Sequence, residues 1–344
     1  MDGHLLTMDT GLDQQPTRDA IVQALEKREV LWLDLASAGP DTIAVLRDVF
    51  HFHHLAVEDA QEFGQRPKIE AYDDFTYIVV YGAPTTEGSH LAEVHCFYSE
   101  RYLVTVHQGP LPPVSDGCDA IRRRHPIGPP HPITALYHLL DALADSMFPY
   151  LAAFDERIDA LQDEIYVRPS EQQLAGMFTM KRQLVEARRL VTPERDMISS
   201  LLSRGTELAG MTEEKEHYFR DLYDHLIRIS DLLDSYRDLL SGSMDAYLST
   251  VSNRLNAVMK QLTIIATIFL PLSFLTGFFG QNFAWLVGHI GSLYVFLIFG
   301  IGSELLAAGG LLWLFRRRGW LGEKALCQGC VMSGCVMSGL GRGR

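Results

Sequence analysis

The sequence lacks the residue patterns of an enzyme active site. Its 344 residues contain no nucleophile elbow, no Walker loop and no His-Glu zinc-protease motif. It has only five cysteines, which do not make a disulfide framework in a cytosolic protein. These absences leave no residues on which an enzymatic function could rest.

Charge is missing from one long stretch. No Asp, Glu, Lys or Arg occurs between Lys260 and Glu304. One membrane crossing needs about 20 apolar residues, so this interval is long enough for two crossings. We predict a first span and its turn over 261–283, an external loop over 284–289 and a second span over 290–315.

The N-terminus lacks the basic region and the apolar core of a secretory signal, so we expect the large N-terminal part in the cytosol. Arg254 and Lys260 precede the first span, three arginines at 316–318 follow the second, and the connector has no Lys or Arg. By the positive-inside rule, this distribution places both termini in the cytoplasm.

Negative charge exceeds positive charge outside the C-terminal region. The net charge is −13, and residues 304–344 hold six Lys or Arg against two Glu, so residues 1–260 carry −17. An acidic soluble part argues against nucleic acid as a partner. It favours either attraction of cations or simple solubility.

The first 130 residues predict an α+β domain with a mixed sheet and flanking helices. Strands are indicated by apolar runs rich in β-branched and aromatic residues at 30–36, 75–83, 94–100 and 101–109. Helical patterns lie at 41–50 and 54–61. His51, His53 and His54 form a cluster that could ligate a metal, but no acidic or cysteine pattern completes it, and structural histidines at a helix edge are favoured.

Prolines at 126–132 lead into a helical hairpin region over 131–210. One helix is predicted at 133–167 and a second from an N-cap or near-cap at Ser170 to Val191, with a kink or an interruption at Thr192-Pro193 before a short third segment. The acidic face of the first helix fits either a solvated surface or cation attraction. Its acids are Asp155, Glu156, Asp159, Asp163 and Glu164.

A stalk helix is predicted over 211–260, continuing into the first span. Its apolar residues alternate steps of three and four from Leu222 to Leu262, which indicates a packing seam within the fold or between copies. As one helix to Phe279 it would measure ~100 Å, with Pro271 as its one point of flexure.

One face of this helix has polar ends and an apolar middle. Alone it is an ordinary packing face, but around an axis of several copies it would line a narrow pore ending in a turn of Gly280, Gln281 and Asn282. Amide and carbonyl oxygens hold Mg²⁺ through its water shell, and apolar rings close such a path by dewetting. The face contains Asn256, Met259, Leu262, Ala266, Leu270, Ser273 and Gly277.

In three runs, 57–80, 218–242 and 256–282, the sequence resembles the CorA family of Mg²⁺ transporters, which has zinc-transporting ZntB-like relatives. The resemblance implies a homopentamer in the cell (inner) membrane. Each copy would have a cytosolic funnel domain, a stalk helix that becomes the pore-lining first span, and an outer second span.

The resemblance also implies roles for the pore face. Asn282 would sit in the external selectivity ring beside Gly280 and Gln281, and Asn256 in an inner polar ring. The hydrophobic gate would comprise Met259, Leu262 and Leu270, while Ser273 stands where the family usually has threonine.

For regulation, Asp221 matches the family's metal-sensing aspartate, with Glu87 as the nearest acid for its partner across the subunit interface. Mg²⁺ would thus be both transported and regulatory. Gln281 replaces the methionine of the family's usual Gly-Met-Asn turn, and the connector lacks acids. Mg²⁺ leads as substrate, with Co²⁺ or Ni²⁺ accompanying it. A Zn²⁺ transporter and a non-conducting cation-sensing scaffold in the membrane are the alternatives.

Two further features leave alternatives open. Glu304 lies in the second span, where a charge is expensive, and it fits either structural accommodation or a part in transport. The basic tail, 316–344, carries Cys327, Cys330 and Cys335. A disordered Gly/Ser tail is favoured there over a metal site, because one Cys pair lacks the remaining ligands of a structural zinc site.

Overall fold

The computed structural model describes residues 1–86, 89–123, 131–204, 208–281, 288–289 and 292–320. The chain divides into two compact units, Met1–Tyr247 and Leu248–Arg344. The first unit contains a mixed sheet with its helices, and the second contains the apolar helical segments.

Within the described part of the first unit, seven strands form one sheet in the order β2-β1-β3-β7-β6-β5-β4. The β3 and β7 strands pair in parallel, and the other neighbours pair antiparallel. The strands are β1 (Gly3–Thr7), β2 (Leu12–Gln14), β3 (Leu31–Leu35), β4 (Lys68–Ala71), β5 (Thr76–Gly82), β6 (Ala92–Tyr98) and β7 (Tyr102–His107).

The four strands predicted from the sequence are β3, β5, β6 and β7, which form the centre of the sheet. Every residue of β3 is buried, and in each of the other three strands only the first residue is partly exposed. Central strands covered on both faces read as continuous apolar runs, which is why these four were recognisable.

The strands that sequence reasoning missed are β1, β2 and the edge strand β4. The polar residues of β4 make local ion pairs: the Lys68 ammonium donates to Asp59 at 2.6 Å and to Glu70 at 3.0 Å. A strand of four residues with two charges has only two apolar positions, too few for its alternation to stand out.

Among the described residues, four short helices accompany the sheet and four longer ones follow. The N-terminus of the second long helix is capped as its sequence indicates: the Ser170 hydroxyl accepts the backbone N–H of Gln173, whose side chain accepts the N–H of Ser170. The helices are α1 (Arg18–Glu26), α2 (Pro40–Asp48), α3 (His54–Gln61), α4 (Pro112–Arg123), α5 (Pro132–Val167), α6 (Glu171–Arg204), α7 (Glu213–Phe279) and α8 (Leu293–Arg317).

The α5 helix packs closely on the sheet. A Cβ atom added to Gly82 of β5 would lie 2.6 Å from the Leu143 side chain, so glycine permits this approach. Leu136, Leu139 and Leu143 of α5 are fully buried. This contact fixes α5 over the middle of the sheet.

Of the two alternatives predicted at Thr192-Pro193, the interruption is wrong, because α6 runs through Pro193 as one helix. Proline in a helix interior costs ~3 kcal/mol through a lost hydrogen bond and a steric clash. The flanking side chains of Val191 and Ile198 are each 2% exposed, and their burial offsets that cost.

The α7 helix is a single element of 67 residues that also runs through its internal Pro271. The predicted seam is buried in the first unit from Phe219 to Tyr247. Beyond that point the same pattern is exposed, as at Leu255 (62%) and Leu262 (60%). Within one chain, therefore, the seam residues are mostly buried up to Tyr247 and exposed beyond it.

Candidate ion pathway and cation cluster

Two helices are long and apolar enough to cross a membrane: α7, through its C-terminal part, and α8. The apolar window of α7 has no buried residues within the chain. The exposed side chains in it are bulky hydrocarbons, for which lipid or other protein is the compatible surrounding. The protein is a membrane protein with two C-terminal apolar helices.

The predicted pore face is exposed along its whole length on α7. Met259, Leu262 and Leu270 have exposed fractions of 55%, 60% and 77%, and Asn256 and Ser273 are exposed as well. At 100° per residue these five positions fall within an arc of ~120°, and Asn256 and Ser273 are ~25 Å apart along the axis. One continuous helix thus carries the stripe across most of a hydrocarbon core.

The polar turn that follows α7 is described in part. The Gly280 N–H donates to the carbonyl of Thr276 at 2.9 Å, and the Gln281 N–H donates to the carbonyl of Phe278 at 3.3 Å. Gln281 is exposed. Asn282 lies outside the described residues.

The first unit holds a cluster that sequence reasoning did not identify. The Nδ1 atom of His225 on α7 lies 3.7 Å from an oxygen of Asp141 and 3.6 Å from one of Asp145, both on α5. One ligand atom from each residue falls within 4.8 Å of the others. Asp221, which was predicted to sense metal, stands one turn before His225, with its carboxylate 3.9 Å from Nε2.

This cluster has unused binding capacity. The Nδ1 atom of His225 and the Oδ1 atom of Asp141 are buried without a hydrogen-bond partner. Burial, and after it the negative charge of Asp145, raises the pKa of Asp141 above its usual range, against the opposing effect of His225. A cation between these groups would use the orphaned atoms and neutralise the crowded carboxylates, so the residues present fit a divalent metal.

A sequence signal for the cluster exists. Asp141 and Asp145 are four residues apart on α5, and Asp221 and His225 are four apart on α7, a spacing that places each pair on one helix face. Neither pair indicates that the two faces meet. The other predicted partner, Glu87, lies outside the described residues.

The remaining candidate ligands do not gather in the described part of the chain. The His53 ring caps α3 by accepting the N–H of Leu55, which agrees with the structural interpretation of that histidine cluster. Asp155 and Asp159 are exposed on α5. Cys96 and Cys118 are free and buried, and the three tail cysteines fall outside the described residues.

Comparison with known proteins links these features to one family. The family model described as CorA-like Mg²⁺ transporter protein matches residues 27–317. YfjQ of Bacillus subtilis is 31% identical over 312 residues, covering 90% of this chain and 96% of YfjQ. The cobalt/magnesium transport protein CorA of Thermotoga maritima is 34% identical over 264 residues, covering 74% of each chain.

More distant relatives include the zinc transport protein ZntB of Cronobacter sakazakii, 26% identical over 315 residues, with 89% of this chain and 92% of ZntB covered. Among solved structures, the CorA magnesium transporter of Methanocaldococcus jannaschii has a TM-score of 0.75 at 21% identity, covering 85% of this chain and 92% of that one. Full-length CmaX has a TM-score of 0.71 at 24% identity, covering 92% and 97%. The fold is therefore that of these transporters.

Proposed function

Since this chain belongs to the family of CorA-like Mg²⁺ transporter proteins and is a divalent metal cation transporter rather than an enzyme, we propose that Mg²⁺ is its main substrate. Co²⁺ and Ni²⁺ would be carried as well. The ion would cross the bilayer between copies of α7 in a homopentamer, with both termini in the cytoplasm of the cell.

The exposed stripe of α7 is the observation that carries this proposal. Its polar members, Asn256 and Ser273, flank the apolar Met259, Leu262 and Leu270, and Gly280 and Gln281 follow at the far end. A hydrated Mg²⁺ would meet amide oxygens at both ends of the path and apolar constrictions between them. Asn282 would complete the outer ring of oxygens.

We further propose that the cluster of Asp141, Asp145, Asp221 and His225 is the regulatory cation site. A bound cation would offset the repulsion among its carboxylates and favour the closed channel; loss of the cation would loosen the packing. Three carboxylates suit Mg²⁺, while the imidazole suits Zn²⁺ or Ni²⁺ better. Inhibition by internal Co²⁺ or Ni²⁺ is therefore expected at lower concentration than inhibition by Mg²⁺.

Zn²⁺ is the second candidate substrate. It is favoured by the similarity to ZntB and by Gln281, a second carboxamide at the mouth, where the family's usual turn has methionine. A competition assay in proteoliposomes across Mg²⁺, Co²⁺, Ni²⁺ and Zn²⁺, with wild type and Gln281→Met, distinguishes the two substrates. Preference for Zn²⁺ in wild type would overturn the Mg²⁺ assignment.

The same assay tests the pore itself. Asn282→Ala should abolish flux of every ion, whereas Asn253→Ala, an exposed carboxamide on α7 outside the stripe, should leave it unchanged. A folded oligomer that moves none of the four ions would leave a cation-sensing scaffold as the function. A monomeric protein in mild detergent would contradict the shared pore.

A further inference from the structure

The C-terminal end of α8 folds back on itself in a defined way. Gly319 has a φ of 68°, in the left-handed region that suits glycine. Its N–H donates to the Arg316 carbonyl at 3.1 Å, and the Trp320 N–H donates to the Phe315 carbonyl at 2.9 Å. This Schellman-type cap satisfies the last carbonyls of the helix and turns Trp320 back toward it.

Trp320 lies between the two spans as a result. Its ring stacks on Phe315 at 5.6 Å between centroids, and Phe315 is only 6% exposed. The ammonium of Lys260, from the start of the first span, lies 5.7 Å from the Trp320 ring centroid. A cation from α7 and the end of α8 are thereby joined through one indole.

Three more cations lie at the same end of α8. Arg316, Arg317 and Arg318 are exposed at the end of α8, and the Arg317 guanidinium lies 5.3 Å from the ring centroid of Trp313. In the part of the chain that the structure describes, no carboxylate forms an ion pair with any of the three. Among the described residues, therefore, no carboxylate compensates this charge.

The position of this group determines which anion it can meet. These cations lie where an apolar span ends, together with two tryptophans. Tryptophan side chains favour the boundary between the hydrocarbon core and the headgroups. Guanidinium groups bind phosphate oxygens in a bidentate manner. We propose that Lys260, Arg316, Arg317 and Arg318, with Trp313 and Trp320, form a binding site for the phosphate headgroup of an anionic phospholipid.

The test uses the full-length protein, purified in mild detergent, with phosphatidylglycerol and phosphatidylcholine as probes. Bound lipids are counted by native mass spectrometry, and affinity is measured by titration. Wild type should retain phosphatidylglycerol in preference to phosphatidylcholine. The triple variant R316Q/R317Q/R318Q should bind phosphatidylglycerol about a hundredfold more weakly, because each cation near an anionic surface contributes a factor of about five.

Two controls separate a site from general charge. The variant R66Q/R182Q/R189Q removes three exposed arginines from the first unit and should bind phosphatidylglycerol as wild type does. Trp320→Ala keeps all four cations but removes the indole that holds Lys260 beside α8, and should weaken binding severalfold. If the triple variant does not assemble, R316K/R317K/R318K with Trp320→Ala keeps the charge and still tests the geometry.

Three results would overturn the proposal. Equal retention of phosphatidylglycerol by wild type and the triple glutamine variant would show that the arginines do not form the site. Equal retention of phosphatidylcholine and phosphatidylglycerol by wild type would show that headgroup charge is not recognised. Displacement of phosphatidylglycerol by inorganic phosphate at similar concentration would indicate a site for free anions instead of lipid.

Discussion

The imidazole of His225 on α7 lies 3.6 Å from the carboxylate of Asp145 on α5. Both residues belong to the first unit, so these faces of α5 and α7 form the cluster within one chain. In a family whose cargo is a divalent metal, a group of this composition is suited to report cation concentration to the helix that continues into the membrane.

Replacing the carboxylates of Asp141 and Asp145 on α5 with amides should abolish the stabilisation of the protein by divalent cations. We expect the melting temperature of wild type to rise with added Mg²⁺ or Co²⁺, since a ligand at about 100 times its Kd stabilises the folded state by about 2.7 kcal/mol. The variant D141N/D145N should show no such rise. It should be more stable than wild type without metal, because carboxylate repulsion is relieved.

The matched control for that pair is D155N/D159N. Asp155 and Asp159 have the same spacing on the same helix but are exposed, and they belong to no metal-ligand cluster among the described residues. The measurement is the melting temperature of the two variants, by differential scanning fluorimetry, with and without added cation. An equal loss of cation response in both would mean that the response arises from general acidity.

Asp221 should couple this cluster to transport. Asp221→Lys places an ammonium beside His225 and should weaken inhibition of uptake by internal Mg²⁺, while Asp221→Asn should weaken it less. The measurement is the internal Mg²⁺ concentration at half-inhibition in proteoliposomes loaded with increasing Mg²⁺. Asp231→Asn, an exposed acid on α7, serves as the control; unchanged inhibition in Asp221→Lys would contradict a sensory role.

Stability of the protein should fall as pH rises, because of Glu194. This residue is 5% exposed on α6, and burial raises its pKa to about 8, against the lowering effect of the Tyr81 backbone N–H that it accepts. Between the unfolded value of about 4.5 and about 8, the folded state binds a proton that the unfolded state has released. The contribution of protonated Glu194 to the free energy of unfolding is fully present below the unfolded pKa. As the pH rises toward 8, this contribution decreases by up to about 1.4 kcal/mol per pH unit.

Glu194→Gln should remove that part of the pH dependence. We expect its melting temperature to exceed that of wild type at alkaline pH and to approach it at mildly acidic pH, where Glu194 is protonated. Glu171→Gln on the same helix is the control, since Glu171 is exposed. Parallel melting curves for wild type and Glu194→Gln across this range would show that Glu194 does not titrate within it.

Leu270 should limit ion flow if the stripe of α7 lines the pore. It is 77% exposed within one chain, and in a ring of copies its side chains would exclude water from the path. Leu270→Asn should increase Mg²⁺ flux severalfold and weaken inhibition by internal Mg²⁺. Leu306→Asn on α8, 79% exposed, is the matched control, and equal effects of the two would place the constriction elsewhere.

The sequence was sufficient for the features that depend on local pattern. The central strands, the cap at Ser170 and the continuity of α7 follow from apolar periodicity and turn chemistry. The interruption predicted as one alternative at Pro193 is wrong because burial of neighbouring side chains outweighs a local preference. The cluster around His225 was missed because two ordinary i,i+4 pairs become a site only when tertiary packing brings them together. The roles of Asn256, Gln281 and Asn282 stay predictions.

The charged edge of the sheet has a consequence beyond the fold of one chain. An unpaired outer strand offers free N–H and C=O groups to any other strand that approaches. At one border, β4 presents Lys68 clamped between Asp59 and Glu70, and at the other, β2 is only three residues long. When several copies of the chain are synthesised close together on a membrane surface, both edges of the sheet in the first unit are thus protected from pairing with a strand of another copy.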